Sequence, residues 1–450
     1  MSGRAATLKI HKGDFALSVG NPNSNLPKGW QWINLSEITT TATGHTPSRR
    51  KPEYWGGDIK WMCARDARFQ HGGIVTDTKE KINQLGLENS AAVILPKDTV
   101  CLSRTGASIG YAVRLGEPMA TNQGFFNWIC SEKLNPKFLQ YALVSEINFL
   151  ERIAYGAAHH TIYFPELKAF HISVPPTREE QDKIVSIIDK AISSIDEAQT
   201  NIKKNIKNAK ELFQSKLNEI FSQKGDGWEE KTISDLVAES ILDKPIDGNH
   251  GETHPKKRDF RESGVPFIMA SHLVDGEVNQ NTCHFISREQ ADSLRKGFAL
   301  DGDILLSHKG TIGRVAILNT DFDYVMLTPQ VTYYRILDHK KMVNQYLYYY
   351  LKSPNFQNPM NEIAGIGSTR AYIGITKQQS LKVRYPKSLE KQRQIASILD
   401  ELSISTTNLI SSYSAKISAL QELKRSILQK AFAGELTSES KLFTNNEVEV

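Results

Sequence analysis

One long internal repeat limits what this chain can fold into: whatever the first half builds, the second half builds again with different side chains. Gly29-Trp30 followed by Leu35-Ser36-Glu37-Ile38 returns 198 residues later as Gly227-Trp228 followed by Ile233-Ser234-Asp235-Leu236. Ser103-Arg104-Thr105-Gly106 returns 204 residues later as Ser307-His308-Lys309-Gly310, each soon followed by Ile-Gly. The run Glu179 to Asp189, EEQDKIVSIID, returns 211 residues later as EKQRQIASILD, Glu390 to Asp400. That offset then holds through Leu212/Leu423, Ser215/Ser426, Leu217/Leu428 and Phe221/Phe432. Loops absorb insertions, whereas a packed helix loses its register with each one. Each copy is therefore a variable globular part followed by a rigid helical part. A chance likeness between two amphipathic helices would not give several colinear matches of different character.

The helical parts carry rows of apolar residues seven apart. In the first, Ile188, Ile195, Ile202 and Ala209 form one row; Ile192, Ile206, Phe213 and Ile220 form another, with Gln199 polar. In the second, the rows are Ile395, Leu402, Leu409 and Leu423, with Lys416 polar, and Leu399, Tyr413, Leu420 and Ile427, with Thr406 polar. Two such rows are the seam of a coiled coil. Pro175-Pro176 and Pro386 mark the starts, and no glycine interrupts either helix before Gly225 or Gly434. Each helix of about 40 residues is roughly 60 Å long. The expected pairing is mutual and antiparallel, since the second globular part lies between the two helices; the alternative packs each helix on its own globular part.

The expected plan is α+β: a flexible tail (1–25), a first mixed α/β domain (26–177), a spacer helix (178–224), a second domain (225–388), a second spacer helix (389–435) and a flexible tail (436–450). Short strands are expected at Ala92 to Leu95, Thr99 to Ser103, Tyr111 to Leu115, Gly124 to Cys130, Asp303 to Ser307, Arg314 to Leu318 and Val331 to Leu337. A helix is expected at Pro136 to Arg152 and at Lys340 to Lys352.

A chain of 450 residues spans two to four domains and buries a core without staples. Its 40% hydrophobic and 23% charged residues exclude global disorder, a collagen-like fibre and a disulfide scaffold. The net charge of +5 permits a polyanionic partner without demanding one. Cys63, Cys101, Cys130 and Cys283 form no C-x-x-C pair, which suits a reducing compartment and makes zinc unexpected. No apolar run nears the roughly 18 residues needed to span a bilayer, and the start lacks a signal peptide's apolar run. The expected location is the cytoplasm.

Catalytic signatures are missing. There is no G-x-x-x-x-G-K-[ST] loop, no H-E-x-x-H, no Asn-Pro-Pro-aromatic methyltransferase motif, and no carboxylate pair placed for acid–base work. The adjacent pair His159-His160 diverges too much to share a metal, so no metal or cofactor site is expected in this chain. Loop chemistry for nucleic acid is present instead. Thr46, Ser48 and Arg49 lie in a turn-rich segment with Arg50 and Lys51. Ser103, Arg104, Thr105 and Gly106 set a cation between hydroxyls beside a glycine; Ser307, His308, Lys309, Gly310 and Thr311 repeat this with other heads. Thr121, Asn122 and Gln123, and Gln330 after Thr328-Pro329, end in amides suited to adenine edges. Arg65, Lys256, Lys257, Arg258, Ser368, Thr369 and Arg370 complete the candidate contacts. Cations with small hydroxyls and amides suit phosphate anchoring plus base-edge reading. Each segment alone reads by default as a solvated loop; their matching places in two repeats raise the joint case.

The globular–helix–globular–helix plan also carries Gly44-His45-Thr46-Pro47-Ser48, then Tyr54-Trp55-Gly56-Gly57-Asp58-Ile59-Lys60-Trp61, then Ser103 to Gly110, then Thr121-Asn122-Gln123-Gly124, and Pro-to-Gln helix entries at 175–181 and 386–392. Over about residues 26–435 this resembles the DNA specificity subunit of type I restriction–modification systems. The resemblance implies two target recognition domains, each reading half of a split, asymmetric site in double-stranded DNA, with the paired helices as a ruler. It implies docking of two adenine methyltransferase subunits that use S-adenosylmethionine, and of restriction subunits that use ATP and Mg. It implies no catalytic residues in this chain. The second domain lacks the Thr-Pro-Ser and Tyr-Trp-Gly-Gly-Asp segments and sets Pro329 against Asn122, so the two domains should read different sequences. The other classes left open are a self-sufficient DNA-modifying enzyme and a structural coiled-coil adaptor.

Overall fold

A computed structural model describes residues 19–20, 26–156, 160–223, 225–251, 254–365 and 371–438. Two compact units divide the chain. The first takes the described residues of 1–201 and 415–450; the second is the continuous stretch 202–414.

In the first unit, a five-stranded sheet runs in the order Thr39–Thr43, Phe125–Cys130, Val100–Ser103, Ala112–Leu115, Ile74–Val75. The pairs are antiparallel except the last. Val100, Cys101, Leu102 and Ser103 are all buried, which is why this strand reads as a continuous run instead of an alternation. A second sheet sets Trp55–Met62 between Glu80–Ile82 and Ala120–Thr121, the latter pair parallel. Helix Pro136–Ser145 covers the first sheet, capped by Asn135, whose side chain accepts from the Lys137 and Phe138 amides.

The second unit repeats this plan. Its six-stranded sheet runs Ile246–Asp247, Val331–Tyr334, Ile304–Ser307, Val315–Ile317, Glu277–Val278, Leu273–Val274. A four-stranded sheet holds Val265–Ile268 parallel to Val325–Leu327, as Trp55–Met62 lies parallel to Ala120–Thr121 in the first unit.

Several elements differ from the sequence reading. Ala92 to Leu95 is no strand: only Leu95 bridges to Met119, and Val93 and Ile94 are exposed. The helix expected over Pro136 to Arg152 is broken at Glu146 into Pro136–Ser145 and Ile147–Arg152. The helix ending at Lys352 is followed by another, Pro354–Ala364, stopped by Gly365 at φ 66°. The presumed tails are partly structured. Val19–Gly20 pairs with His171–Val174, and Leu436, in the short helix Glu435–Ser438, packs on the first unit's core. Residues 1–18, 21–25 and 439–450, the rest of those tails, lie outside the described residues.

The long helices are Arg178–Phe221 and Leu389–Phe432. In the first unit, Ile184, Val185 and Ile188 share one core with Leu428, Ala431 and Phe432, and Lys424 pairs with Asp196 at 3.3 Å. In the second unit, Phe213, Leu217, Ile220 and Phe221 share a core with Ile395 and Leu399, against which Leu402 packs. Along the first helix both expected rows, including Ile195 and Ile202, turn inward. The second helix departs from expectation. The row Leu399, Tyr413, Leu420, Ile427 is shielded, but Leu409 and Leu423 are 43% and 47% exposed. Ile410 and Ile417 take the inward place instead. Rows three and four residues after the Leu399 row lie side by side on the helix and look alike in sequence; Leu409 drew the choice to the wrong one.

Candidate nucleic-acid interface

In the first unit the candidate residues gather at the ends of strands Val100–Ser103 and Phe125–Cys130. The Arg104 amide donates to Gly124 O (2.9 Å) and the Ile162 amide to Arg104 O (2.9 Å), which ties three segments into one loop cluster. Arg104 itself is half-buried. Its guanidinium lies 4.2 Å from the Phe164 ring centre and donates to Gln123 O (3.2 Å). Burial lowers its pKa, and neighbouring Tyr163 offsets this in part. Thr46 Oγ1 meets Gln123 Oε1 at 2.5 Å, and the His45 amide donates to Thr121 O. A Cβ on Gly44 would lie 2.1 Å from Asn122 O, so only glycine lets these loops touch.

Arg49 stands apart from this cluster. It makes a two-pronged pair with Glu80 (2.5 and 2.9 Å) and stacks 3.8 Å over Trp55. The shared hydrogen bonds raise the Arg49 pKa and hold Glu80 below the usual carboxylate range. Ser48, Arg65, Gly106 and Gln123 are exposed; Thr105 and Asn122 are half-buried. Ser103 and Thr121 face inward, against expectation. Each is 1% exposed: Ser103 Oγ bonds Ser108 Oγ (2.7 Å), and Thr121 Oγ1 accepts from Asn127 (3.0 Å).

The second unit uses the same backbone frame. The His308 amide donates to Gln330 O, the Ile373 amide to His308 O, and the Thr328 amide to Ile268 O, matching Arg104, Ile162 and Asn122 in turn. This frame corrects the sequence alignment by one residue. Thr328 stands where Asn122 does, Pro329 where Gln123 does, and Gln330 where Gly124 does. Ser307 and His308 are fully buried, so neither meets solvent: Ser307 Oγ accepts from the Arg314 amide (2.9 Å), and His308 Nδ1 faces Ile373 O at 3.0 Å. Burial lowers the His308 pKa. Lys309, Gly310, Thr311 and Gln330 are exposed, as are Lys256, Lys257 and Arg258 on a separate turn, Lys257–Asp259. Ser368, Thr369 and Arg370 lie outside the described residues, as does His159.

Sequence reasoning missed Asp247. It is 3% exposed, takes a hydrogen bond from His250 (2.7 Å), pairs with Lys296, and lies 3.9 Å from His308 Nε2. No motif signals it; the matching place in the first sheet holds Thr43. Among the described residues no group of three or more His, Cys, Asp or Glu is placed to hold a metal ion, and no helix is long and apolar enough to cross a membrane.

The family model for the type I restriction modification DNA specificity domain matches residues 27–208 and again 225–419. The chain belongs to this family. The MjaIX specificity subunit of Methanocaldococcus jannaschii is 26% identical over 92% of this chain and 95% of its own length. The EcoKI specificity subunit of Escherichia coli K12 is 22% identical over 92% and 90%. Among solved structures, a chain of a type I R-M system complex covers 92% of this chain and 100% of its own (TM-score 0.72, 19% identity). The HsdS subunit from Thermoanaerobacter tengcongensis covers 92% and 99% (TM-score 0.53, 19% identity).

The specificity-subunit fold explains the sequence's most constant motif. In each unit the buried glutamine of the helix entry grips the domain. Gln181 accepts from the Asn135 amide (2.9 Å) and donates to Lys133 O (3.0 Å). Gln392 accepts from the Val343 amide (2.8 Å) and donates to Lys341 O (3.0 Å). Two turns on, Asp189 accepts from Tyr141 OH and Asp400 from Tyr349 OH (2.5 and 2.7 Å). The Glu-x-Gln spacing was visible as a repeat; its partners in the domain were not.

Proposed function

We propose that this specificity subunit reads a bipartite, asymmetric DNA site, one half per domain, with the two long helices paired as an antiparallel coiled coil that sets the spacing. One observation carries this reading: the same loop frame in both units bears different side chains, Thr105 against the exposed Lys309 and Gly124 against the exposed Gln330. A shared frame gives each domain the same approach to DNA, and the changed heads give each a different base preference.

Two methyltransferase subunits dock on repeat-related faces of the helices. Supporting this, the exposed apolar residues Ile187 and Ile398 lie 211 residues apart, as do Leu212 and Leu423. Of these four, each unit carries one isoleucine and one leucine, a repeat-related pair suited to two copies of one partner. Methyl transfer, with S-adenosylmethionine, belongs to those partners. ATP- and Mg-dependent cleavage belongs to restriction subunits, in the cytoplasm.

The test is methylation mapping of cells carrying the chain with its methyltransferase partner. Replacing residues 225–388 by another family member's second domain should change one half-site and leave the other intact. A change in both halves would defeat the one-domain, one-half assignment.

A further inference from the structure

Native interiors leave few buried polar atoms without a partner. In the second unit two such atoms belong to residues that line one hollow. The hollow, of about 350 Å³, is lined by His250, His254, Met269, Lys309, Thr328 and Gln330 among others. Thr328 is 4% exposed and its Oγ1 makes no hydrogen bond; His254 Nδ1 also makes none. His308, next to the lining residue Lys309, is fully buried; its Nε2 makes no hydrogen bond and lies 3.9 Å from the Asp247 carboxylate.

The first unit serves as an internal control, because the backbone frame is the same. There Asn122, in the place of Thr328, has its Oδ1 satisfied by the Gly124 amide at 2.9 Å. Arg104, in the place of His308, spends its guanidinium on Gln123 O and Ile162 O. The first unit's loops bond one another at these places. In the second unit His308 Nδ1 still meets Ile373 O at 3.0 Å, but Thr328 Oγ1 and His308 Nε2 make no hydrogen bond.

We propose that this hollow takes the edge of one base pair in the second domain's half-site, and that Thr328 and Gln330 set which base is read there. The proposal rests on the DNA-reading assignment above and names the residues that carry it out in one domain. A phosphate is the poorer occupant. Phosphate sites gather cations, and the lining here offers a hydroxyl, an amide and imidazoles, with Lys309 on the rim and the Asp247 carboxylate behind. Burial lowers the pKa of His254 and of His308, which favours their neutral forms. The His254 Nδ1 makes no hydrogen bond within the protein, which leaves it open to accept an N–H. A hydroxyl, an amide and an acceptor together match a major-groove edge, where every base pair presents one exocyclic amino group beside acceptors.

Thr328→Val keeps the side chain's shape and removes the unpaired hydroxyl; Gln330→Ala removes an exposed amide. Each full-length variant, with its methyltransferase partner, is mapped for methylated sites and melted alone. The expected result is a loss of discrimination, roughly 10- to 100-fold, at one position of the second half-site, with the first half-site unchanged. Thr328→Val should also melt no lower than the parent, because an unpaired buried hydroxyl contributes nothing to the free protein's stability. Unchanged discrimination in both variants would overturn the proposal. So would methylation that falls equally at all sequences, which marks a phosphate contact, or a lower melting temperature for Thr328→Val without a change in sequence, which marks a structural hydroxyl. A parent methylome with no second half-site would defeat the DNA-reading assignment itself.

Discussion

Arg104 and Lys309 sit on equivalent loops and look interchangeable in sequence, yet their surroundings assign them different work. Arg104 is stacked on Phe164 and bonded to two backbone carbonyls, so Arg104→Ala should cost about 1–3 kcal/mol of stability. Lys309 is exposed; Lys309→Ala should shift stability by no more than about 0.5 kcal/mol while weakening DNA binding. Denaturant titration beside a DNA-binding assay separates the two. A second residue-scale test uses acid. Hydrogen bonds from Lys387, then Tyr385 and Lys231, hold the Glu229 carboxyl at about 2. A depressed carboxylate stabilises the fold above its unfolded value and loses that contribution as pH falls through the folded one. The stability gap between the parent and Glu229→Gln should therefore be full near pH 6 and shrink from about pH 4.5 down to about 2. A gap that stayed constant across that window would mean that the carboxylate contributes no linkage there. What could not be read at this scale was burial. Ser103, Thr121, Ser307 and His308 have the chemistry of contact residues and are enclosed by strands whose far partners lie elsewhere in the chain.

At the scale of elements, the long helices were legible because a helix cannot tolerate a shift in register, so the 211-residue offset survives intact from Gln181/Gln392 to Phe221/Phe432. Their inward faces were legible only where one apolar row had no rival. Ile195 and Ile202 had none; Leu409 competed with Ile410, and composition cannot choose between neighbours 100° apart on a helix. The glutamine grips give an element-scale prediction. Gln392→Ala strands the Val343 amide and the Lys341 and Pro386 carbonyls and should cost about 2–4 kcal/mol. Hydrogen exchange should rise first in residues 341–352 for that variant and in residues 133–145 for Gln181→Ala. Equal loosening of both units by either variant would show that the grip is not local.

At the scale of the whole molecule, the mixed α/β class and the repeat were plain in the sequence, while the one-residue register of Asn122 against Thr328 was not. Loop insertions erase alignment, and only the shared hydrogen bonds restore it. The spacer reading makes a prediction here. Seven residues added after Asn201 and seven after Ser414 keep both apolar rows in phase and lengthen each helix by roughly 10 Å. At about 3.4 Å per base step, the variant should keep both half-sites and require two to four more base pairs between them. Methylation mapping decides this, and an unchanged spacer in an active variant would separate the helices from the distance they are proposed to set.

The first unit closes its core with Leu428, Ala431 and Phe432, side chains drawn from residues 415–438, whereas the second unit is one uninterrupted stretch. On a ribosome this reverses the usual order. The domain that emerges first is completed last, and the domain encoded between its two pieces has all its residues earlier. Until residues 415–438 emerge, Phe138 and Ile188 lack the partners that cover them. A nascent chain interrupted before that point displays an unfinished apolar face to chaperones and proteases. A chain that has closed its first core has necessarily been translated through its second unit.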